Sequence, residues 1–406
     1  MKLIKLNQAG IAHWLVPALV VAIIGVVGVR VLTATHAATP AIANNSSSTG
    51  PLLFTTINNN QNPVTTSVIT VNQNGSGKST ITPQNQAYPW GFVWSPDHTQ
   101  IAYTDLVYST PNDVSTARGT INIMNDNGTD SQVIKTMPAG SGLSNLVWSP
   151  DGKSLLFADG SSTNKKDKSK VYTIGVNGKN LNSIANLEPN TGAQDMQWSP
   201  NSKEVLLTGE PKTNPQEELT YVYTASGKLV ATLPTPNNSS FWGNDAWTPD
   251  NSSLIFHNNT NNEISEMNVA TQAVTAIAPA SCSSNDVSSV NVSPNGDLIS
   301  YDCVTPVPDT TPTQFTNSIV VSTITGSNPV VVASGILSEG VNNALPTERG
   351  WAYNSTALDY YVSSTPTSSN GNLYTVNADG SDTKAALKNV SNTEIFTWNS
   401  SPSNIF

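Results

Sequence analysis

One segment of the chain combines the residue types of a phosphate-binding loop. Residues 74–80 read Asn-Gly-Ser-Gly-Lys-Ser-Thr, and the last four match the end of a P-loop. The complete motif also needs a glycine five residues before Gly77, where this chain has Asn72, and a helix whose N-terminus meets the phosphate. A short strand pattern follows instead, at Thr80–Thr82. We therefore predict a hairpin turn here and no nucleotide site.

Metal-ligating and nucleophilic residues do not form a recognisable set. Asp126 and Asp379 lie in turns that look like fragments of calcium loops, but calcium takes six to eight oxygens, so structural turns are favoured over a bound ion. Of the four histidines, His98 and His257 lie outside the N-terminal region. Neither has the neighbours of a zinc site or a Ser-His-Asp triad. We predict no metal, no cofactor and no catalytic residue, and we expect His98 to be exposed.

The most regular feature of the sequence is a five-residue motif, Trp-Ser-Pro-Asp-Gly, that recurs with partial copies along the chain. The first residue of each copy, called the anchor below, is Trp94, Trp148, Trp198, Trp247, Val292, Trp351 or Trp398. Successive anchors are 45 to 59 residues apart, which is typical of modular repeat folds.

Each interval between anchors predicts four β-strands. In the second unit they are expected at Ser144–Trp148, Leu155–Ala158, Val171–Ile174 and Asn182–Ala185, with Pro, Asp, Asn and Gly in the turns between them. Pro51–Pro83 predicts three strands without an anchor, and Glu394–Trp398 predicts one strand with almost nothing after it. We therefore predict an all-β, seven-bladed β-propeller, with six complete four-stranded blades and one closed by N- and C-terminal strands.

The repeated units resemble the TolB-type β-propeller repeat, which TolB shares with the propeller domains of prolyl-oligopeptidase-like peptidases. The resemblance covers residues 51–406 and implies that the anchor-bearing strand of each blade is the innermost. TolB has an additional N-terminal α/β domain, where this chain has an apolar segment and a tether. The peptidases also carry a hydrolase domain with a G-x-S-x-G motif, which this sequence lacks. The resemblance therefore implies a fold and no particular activity.

Polar residues stand three positions before most anchors, at the same height of equivalent strands. If the anchor strands are innermost, these side chains ring one mouth of a central channel, and a polar concavity is the usual ligand position. The predicted binding residues, including neighbours of this ring, are Trp90, Asn145, Asp195, Asn244, Asp245, Ser289, Glu348 and Arg349. A water-filled channel without a specific ligand is the alternative.

Two functions are compatible with such a mouth. We predict chiefly a non-catalytic scaffold that binds an envelope protein, peptide or glycan. The alternative is a carbohydrate-active enzyme, a polysaccharide lyase or hydrolase, for which Asp195 and Glu348 are the candidate carboxylates. Nucleic acid is not an expected partner, because the formal net charge is −10 and no basic stripe is present.

The N-terminal 50 residues have a different character from the rest. Lys2 and Lys5 precede an apolar run, Ile11–Val29, which is long enough to span a bilayer with the N-terminus inside. An uncleaved single-pass anchor is favoured over a cleaved signal peptide, which would give a secreted protein. The predicted segments are a cytoplasmic N-terminus (1–10), a transmembrane anchor or signal segment (11–33), a flexible tether (34–50) and the extracytoplasmic propeller (51–406).

The chain has two cysteines, Cys282 and Cys303, on either side of the fifth anchor. In an oxidising compartment they could form a local disulfide. Two small buried residues on neighbouring strands would give the same pattern, and the sequence does not decide between them.

Overall fold

The chain divides into two units, Met1–Ala43 and Asn44–Phe406, and every residue described below belongs to the second unit. The computed structural model describes residues 52–58, 65–72, 75–81, 90–110, 116–161, 170–186, 196–209, 219–234, 247–258, 263–279, 286–307, 309, 314–338, 346–352, 355–363 and 370–391. The predicted segments 1–10, 11–33 and 34–50 and the predicted closing strand Glu394–Trp398 lie outside these ranges. Among the described residues, none forms a helix of the length and apolarity needed to cross a membrane.

The described residues form antiparallel β-sheets, which we number in chain order. Sheet 1 contains β1 (Leu52–Asn58), β2 (Thr65–Val71) and β3 (Ser79–Ile81); sheet 2 contains β4 (Trp90–Trp94), β5 (Gln100–Tyr108), β6 (Ala117–Asn125) and β7 (Gln132–Ala139). Sheet 3 contains β8 (Ser141–Trp148), β9 (Ser154–Ser161), β10 (Lys170–Gly175) and β11 (Asn182–Asn186); sheet 4 contains β12 (Met196–Trp198), β13 (Glu204–Gly209), β14 (Leu219–Thr224) and β15 (Leu229–Pro234).

Three further sheets complete the described part of the chain. Sheet 5 contains β16 (Ser253–Asn258), β17 (Glu263–Asn268) and β18 (Val274–Pro279); sheet 6 contains β19 (Asp286–Val292), β20 (Leu298–Val307), β21 (Gln314–Thr323) and β22 (Val330–Ser338). Sheet 7 contains β23 (Pro346–Trp351), β24 (Ala357–Ser363), β25 (Asn370–Asn377) and β26 (Lys384–Ser391). In sheet 5, Trp247 forms a single bridge to Leu254 on the free side of β16.

The strands of each sheet pair in sequence order, each antiparallel to the next. The four strands predicted for the second unit fall within β8, β9, β10 and β11. Trp148, the anchor that ends β8, lies opposite Leu155 at the start of β9. The prediction of an all-β chain built from four-stranded antiparallel units is therefore confirmed for the described residues.

The repeated motif forms the tight turn between the first two strands of a sheet. In sheet 3 the buried Ser149 hydroxyl donates to the Asp151 carboxylate (2.7 Å) and accepts from the Ser154 N–H (2.9 Å). Gly152 adopts a φ of 70°, a conformation that favours glycine. Equivalent serine or threonine side chains hold the turns at Ser95, Ser199, Thr248 and Ser293. The serine of the motif is thus part of the turn chemistry.

The hydrophobic core consists of clusters that each join two consecutive sheets. One example packs Val93 and Ala102 of sheet 2 against Leu155 and Phe157 of sheet 3. Equivalent clusters join sheets 1 and 2, 3 and 4, 4 and 5, 5 and 6, and 6 and 7. A further cluster joins sheet 7 back to sheet 1, where Val71 belongs to the same buried group as Tyr361 and Leu373. Because the last sheet packs on the first, the order of the sheets is cyclic, as in a propeller.

The anchor tryptophans also connect neighbouring sheets. The indole N–H of Trp148 donates to the Val93 carbonyl of sheet 2 (3.1 Å), and that of Trp198 donates to the Val147 carbonyl of sheet 3 (3.3 Å). Both indole rings are buried. The anchors therefore act in packing between sheets, as expected for an aromatic residue that fills the wedge between them.

The described motif turns lie at one end of the sheets, which we call the turn end. The Asp151 N–H donates to the Ser202 hydroxyl (3.0 Å) in the turn of the next sheet, and the Asn201 N–H donates to the Asn251 side chain (2.8 Å). The hairpins between third and fourth strands are at the same end, because the Val176 N–H donates to the Lys153 carbonyl (3.0 Å). At the opposite end, which we call the loop end, the second strands end and the third strands begin.

Two predictions about individual segments have clear outcomes. Residues 75–80 of the Gly-rich segment lie at the hairpin between antiparallel β2 and β3, where the Gly75 N–H donates to the Asn72 carbonyl (2.8 Å). The hairpin prediction is confirmed for these residues. The expectation that His98 is exposed is wrong, because its ring is half-buried edge-on to Trp94, with 5.7 Å between ring centroids. Burial lowers the pKa of His98, and the adjacent Asp97 carboxylate opposes that shift.

Candidate functional site

The structure describes the predicted mouth residues to different extents. The backbone and side chain of Asn145 are described; Trp90, Ser289, Glu348 and Arg349 lie in described strands, with only the backbone described; Asp195, Asn244 and Asp245 lie outside the described residues. The structure therefore describes the backbone at this level in four sheets and a side chain in one, and the binding role of these residues stays a prediction.

The predicted ring coincides with a β-bulge in the first strand of each of these four sheets. In sheet 2, Trp90 lies opposite Thr104 and Val93 lies opposite Ala102, so that two residues of β4 share the space opposite one residue of β5. The register shifts in the same place between Ser144 and Val147, between Ser288 and Asn291, and between Glu348 and Gly350. A β-bulge bends a strand and re-aims its side chains, so the chain changes direction at each predicted mouth position.

The residues at the bulge have the conformation that their types permit. Gly91 and Asn145 occupy equivalent positions, three residues before their anchors, with φ angles of 63° and 53°. Glycine and asparagine are the residues that adopt this left-handed conformation most readily. In sheet 3 the next residue, Leu146, is buried, while Asn145 remains half-buried. The bulge thus directs the Leu146 side chain into the core and leaves the Asn145 side chain partly accessible to solvent.

Buried aromatic side chains lie opposite the bulges, and the sequence reasoning did not single them out. The second-strand residues in this position are Tyr103, Phe157, Tyr301 and Tyr360. Three of them stack on further rings, Tyr103 on Phe92 (5.0 Å between centroids), Phe157 on Tyr172 (5.4 Å) and Tyr360 on Tyr374 (5.3 Å). Large packed rings restrict movement of the backbone above them, so the bulges have a rigid support. A sequence signal could have identified these aromatic residues. Each of them lies two positions after the second-strand residue that pairs with the anchor, as Phe157 follows Leu155, the partner of Trp148.

One carboxylate near Asn145 also escaped the sequence reasoning. Asp159 on β9 lies opposite Leu143, two residues before Asn145, and accepts a hydrogen bond from the Ser141 hydroxyl (3.0 Å). Burial raises the pKa of Asp159, while that hydrogen bond and the Lys170 charge act in the opposite direction. The Asp159 charge in turn adds to the burial that raises the pKa of Tyr172. Sheet 3 therefore presents an amide in the middle of β8 and a half-buried acid two positions nearer the loop end.

The described residues show turn chemistry where calcium-like fragments occur. The Asn127 side chain accepts from the Thr129 N–H (3.0 Å), and the Asp379 carboxylate accepts from the Ser381 N–H (2.9 Å). Within the described ranges no group of three His, Cys, Asp or Glu residues is placed to hold a metal ion. The carboxylates proposed for the enzyme alternative, Asp195 and Glu348, have no described side chains, and their pairing stays a prediction.

Cys303 is buried on β20 and is disulfide-bonded. Cys282 lies outside the described residues. Its pairing with Cys303, one of the two possibilities left open by the sequence, stays a prediction.

Comparison with known proteins supports the fold. No protein-family model matches the chain. No curated protein matches its sequence either. Among solved structures, the acylaminoacyl peptidase of Pyrococcus horikoshii has a TM-score of 0.52 at 11% identity, over 83% of this chain and 51% of that chain.

Two other solved structures are similar at a lower level. An Agrobacterium tumefaciens protein assigned to TolB has a TM-score of 0.41 at 14% identity, over 64% of this chain and 84% of that chain. An oligogalacturonate lyase of Vibrio parahaemolyticus has a TM-score of 0.42 at 12% identity, over 58% of this chain and 68% of that chain. Identities this low are informative about fold alone. The cyclic packing of the sheets and the likeness to the Pyrococcus horikoshii structure are those of an all-β protein with a propeller-like fold.

Proposed function

We propose that this chain is a membrane-tethered, seven-bladed β-propeller that binds an extracytoplasmic protein, peptide or glycan at its loop end and does not itself catalyse a reaction. The observation that carries the proposal is the β-bulge that recurs at the predicted mouth position in four sheets. Bulges are over-represented next to functional sites because they re-aim side chains. Here they occur at one level of the fold, where polar residues can converge on a ligand.

The proposed count of seven blades depends on how sheet 1 is completed. The hairpin after β2 has the hydrogen bonds of a hairpin between third and fourth strands: the Gly75 N–H donates to the Asn72 carbonyl (2.8 Å), as the Gly128 N–H donates to the Asn125 carbonyl (2.9 Å). This likeness supports β1 as a second strand, and we propose that Glu394–Trp398 takes the first place in sheet 1. Deletion of 392–406 is expected to lower the thermal midpoint strongly, because closure removes two free sheet edges. Deletion of 34–43 from the predicted tether is the control, and full stability after deletion of 392–406 would contradict the closure.

The proposed location follows from the sequence of the N-terminal region. Segment 1–10 is proposed to lie in the cytoplasm, 11–33 to span the membrane, and 34–50 to connect it to the propeller. Protease added to intact spheroplasts is expected to digest a C-terminal tag and to spare an N-terminal tag. Recovery of the chain in the medium, shortened at its N-terminus, would indicate the cleaved-signal alternative.

The mouth can be tested with substitutions that preserve the backbone. Asn145→Gly keeps the left-handed conformation and removes the amide, whereas alanine would add strain. We expect this change, combined with Asp195→Ala, Asn244→Ala and Glu348→Ala, to abolish cross-linking of the full chain to its partner in the native envelope. Asp126→Ala with Asp297→Ala, two exposed acids at the turn end, is the control. Unchanged cross-linking of the mouth variant would remove the proposed binding site.

A glycan array combined with product analysis separates binding from catalysis. Binding without turnover is the expected result for the scaffold. New reducing ends in the products would support the lyase or hydrolase alternative, with Asp195 and Glu348 as the first residues to replace.

A further inference from the structure

Four lysines lie together at the turn end of an otherwise acidic protein. Lys153, Lys179, Lys203 and Lys228 are all exposed, in the turns of sheets 3 and 4. The formal net charge of the chain is −10, so a local group of cations at one end of the fold is unusual. We call these four lysines the basic patch.

Hydrogen bonds between the turns show that the basic patch is continuous. Within sheet 3 the Val176 N–H donates to the Lys153 carbonyl (3.0 Å), which joins the motif turn to the hairpin of Lys179. Within sheet 4 the Ala225 N–H donates to the Lys203 carbonyl (2.7 Å), which joins the corresponding turn to the hairpin of Lys228.

Contacts between sheets 3 and 4 bring the two halves of the patch together. The Asp151 N–H donates to the Ser202 hydroxyl (3.0 Å), and the Thr173 hydroxyl donates to the Ala225 carbonyl (2.9 Å). A Cβ on Gly227 would lie 2.5 Å from the Ser183 carbonyl oxygen, so the hairpin of sheet 4 rests against β11. The four lysine-bearing turns therefore form one surface.

Exposed aliphatic side chains border the lysines. Leu229 and Val230 follow Lys228 directly and are 48% and 52% exposed, and Leu181 follows the hairpin of Lys179. They lie at the start of the outermost strands of sheets 3 and 4, where solvent reaches the sheet edge. Aliphatic side chains beside lysine head groups are the combination found where proteins lie on a lipid interface.

The remaining turns have the opposite charge. The exposed acidic residues there are Asp97, Asp126, Asp130, Asp250, Asp297, Asp379 and Asp382. The described lysines of the same turns are Lys78 and Lys384, and Lys384 forms an ion pair with Asp382 (2.6 Å). In the patch itself, Asp151 lies 3.6 Å from Lys153 and Glu204 is half-buried. Of the six described lysines in these turns, four thus lie in sheets 3 and 4, where Asp151 is the one exposed acid of the described turn residues.

The first described strand, β1, begins at the turn end. Leu52, the first residue of β1, lies opposite Val71, which precedes the hairpin between β2 and β3. A Cβ on Gly75 of that hairpin would lie 2.7 Å from the Ala386 carbonyl oxygen at the start of β26, so this hairpin is at the turn end. Leu52, the first described residue, therefore lies at the end that carries the basic patch.

We propose that the basic patch, with Leu181, Leu229 and Val230, binds an anionic lipid surface. The lysines attract acidic headgroups, and the aliphatic side chains enter the headgroup region. The acidic turns of the other sheets are repelled by the same surface, so contact is restricted to sheets 3 and 4 and the fold is tilted on the membrane. The loop end then faces away from the lipid. The proposal rests on the proposed tether only for bringing the patch within reach of a membrane.

The test releases the folded propeller from the reconstituted full chain and measures its binding to vesicles. A protease site introduced within residues 45–48 of the predicted tether allows release after purification. We expect the released unit to cosediment with vesicles that contain phosphatidylglycerol at low salt, and to cosediment neither with pure phosphatidylcholine nor at high salt. Salt sensitivity is expected because surface charges are screened.

Matched variants separate the patch from general charge effects. Lys→Gln at Lys153, Lys179, Lys203 and Lys228 is expected to lower the partition coefficient at least tenfold, since one lysine near an anionic surface contributes about fivefold. The control makes the same change at four exposed lysines elsewhere, Lys78, Lys170, Lys384 and Lys388, and is expected to bind as well as the wild type. Leu229→Ser with Val230→Ser is expected to weaken binding more than Val274→Ser with Val330→Ser.

Two results would overturn the proposal: absence of cosedimentation with anionic vesicles, or equal loss in the patch and control variants. The first result is also the one expected if these lysines bind an acidic protein and not a lipid surface. Cross-linking at the loop end, measured on the same variants, keeps the two proposals apart. A failure of the mouth variant to alter cross-linking leaves lipid binding untouched, and a failure of lipid binding leaves the mouth untouched.

Discussion

Replacement of Trp148 by phenylalanine tests whether the anchors stabilise the fold by hydrogen bonding between sheets as well as by packing. The Trp148 indole N–H donates to the Val93 carbonyl of the preceding sheet (3.1 Å), and the ring is buried. Phenylalanine retains an aromatic ring in the wedge but removes the N–H and part of the volume. The loss of free energy of unfolding thus has a packing part and a hydrogen-bond part.

A matched substitution isolates the hydrogen-bond part. Trp351 is also buried, but its indole N–H has no hydrogen-bond partner among the described residues. Trp351→Phe therefore loses similar volume and removes a buried donor that has no partner among the residues the structure describes. Breaking a buried hydrogen bond and leaving its acceptor unpaired costs about 1–3 kcal/mol. We expect Trp148→Phe to be the more destabilising of the two by that amount.

A third variant gives the expected order. The Trp198 indole N–H donates to the Val147 carbonyl at 3.3 Å, longer than the usual range for N–H···O bonds, so Trp198→Phe is expected to fall between the other two. The assay is guanidinium unfolding of the full chain in detergent, followed by far-UV circular dichroism because tryptophan fluorescence changes in every variant. The midpoints are compared at equal m-values. If Trp351→Phe costs as much as Trp148→Phe, the hydrogen bond between sheets contributes nothing measurable.

Three further outcomes follow from single side chains. Ser149→Ala is expected to lower the free energy of unfolding by about 1–2 kcal/mol, because its buried hydroxyl holds the motif turn, whereas Ser226→Ala at an exposed hairpin is expected to change it by less than about 0.5 kcal/mol in urea unfolding. Burial lowers the pKa of His98 from its ordinary 6.5. The neutral imidazole therefore stabilises the folded state above pH 6.5, and this stability is lost as the pH falls below 6.5. Between pH 8 and pH 5 the thermal midpoint is expected to fall less in His98→Asn than in the wild type, and an equal fall in both would contradict this. Cys303 is disulfide-bonded, and pairing with Cys282 would enclose a loop of about 20 residues and add about 3 kcal/mol to the free energy of unfolding. Cys303→Ser is expected to have the thermal midpoint of the reduced wild type. Mass spectrometry that finds these two cysteines in separate peptides of the unreduced protein would refute the pairing.

The interior of each sheet could be predicted because its signals are local. Turn residues and short apolar runs specify strands such as β9 and β10 within a few residues, and the recurrence of the anchor fixes the phase of each unit. The hairpin at Gly75 was predictable for the same reason, since the pattern that follows it suits a strand. Burial is harder to predict: His98 occupies a turn, where exposure is the usual expectation, yet Trp94 covers part of its ring.

The candidate site depends on features that single positions signal weakly. Gly91 and Asn145 are both residue types that tolerate a left-handed backbone, and this shared property could have indicated the bulges. The role of Asp159 could not be read from its surroundings in the sequence, because Ser141 is 18 residues away and meets it only through strand pairing. The basic patch is similar, since the turns of Lys153 and Lys203 meet only when sheets 3 and 4 pack together.

The sequence by itself determined the strands, the motif turns and the repeat, because each depends on residues close together in the chain. Only the tertiary structure decided which surfaces meet: the cluster that joins sheet 7 to sheet 1, the Trp148 bond to the preceding sheet, and the placement of lysines at one end. The physical reason is that side-chain periodicity specifies which face of a strand is buried and leaves open the partner that covers it. Partners are selected by the packing of whole sheets, and the bulged strands and the basic patch arise from that packing.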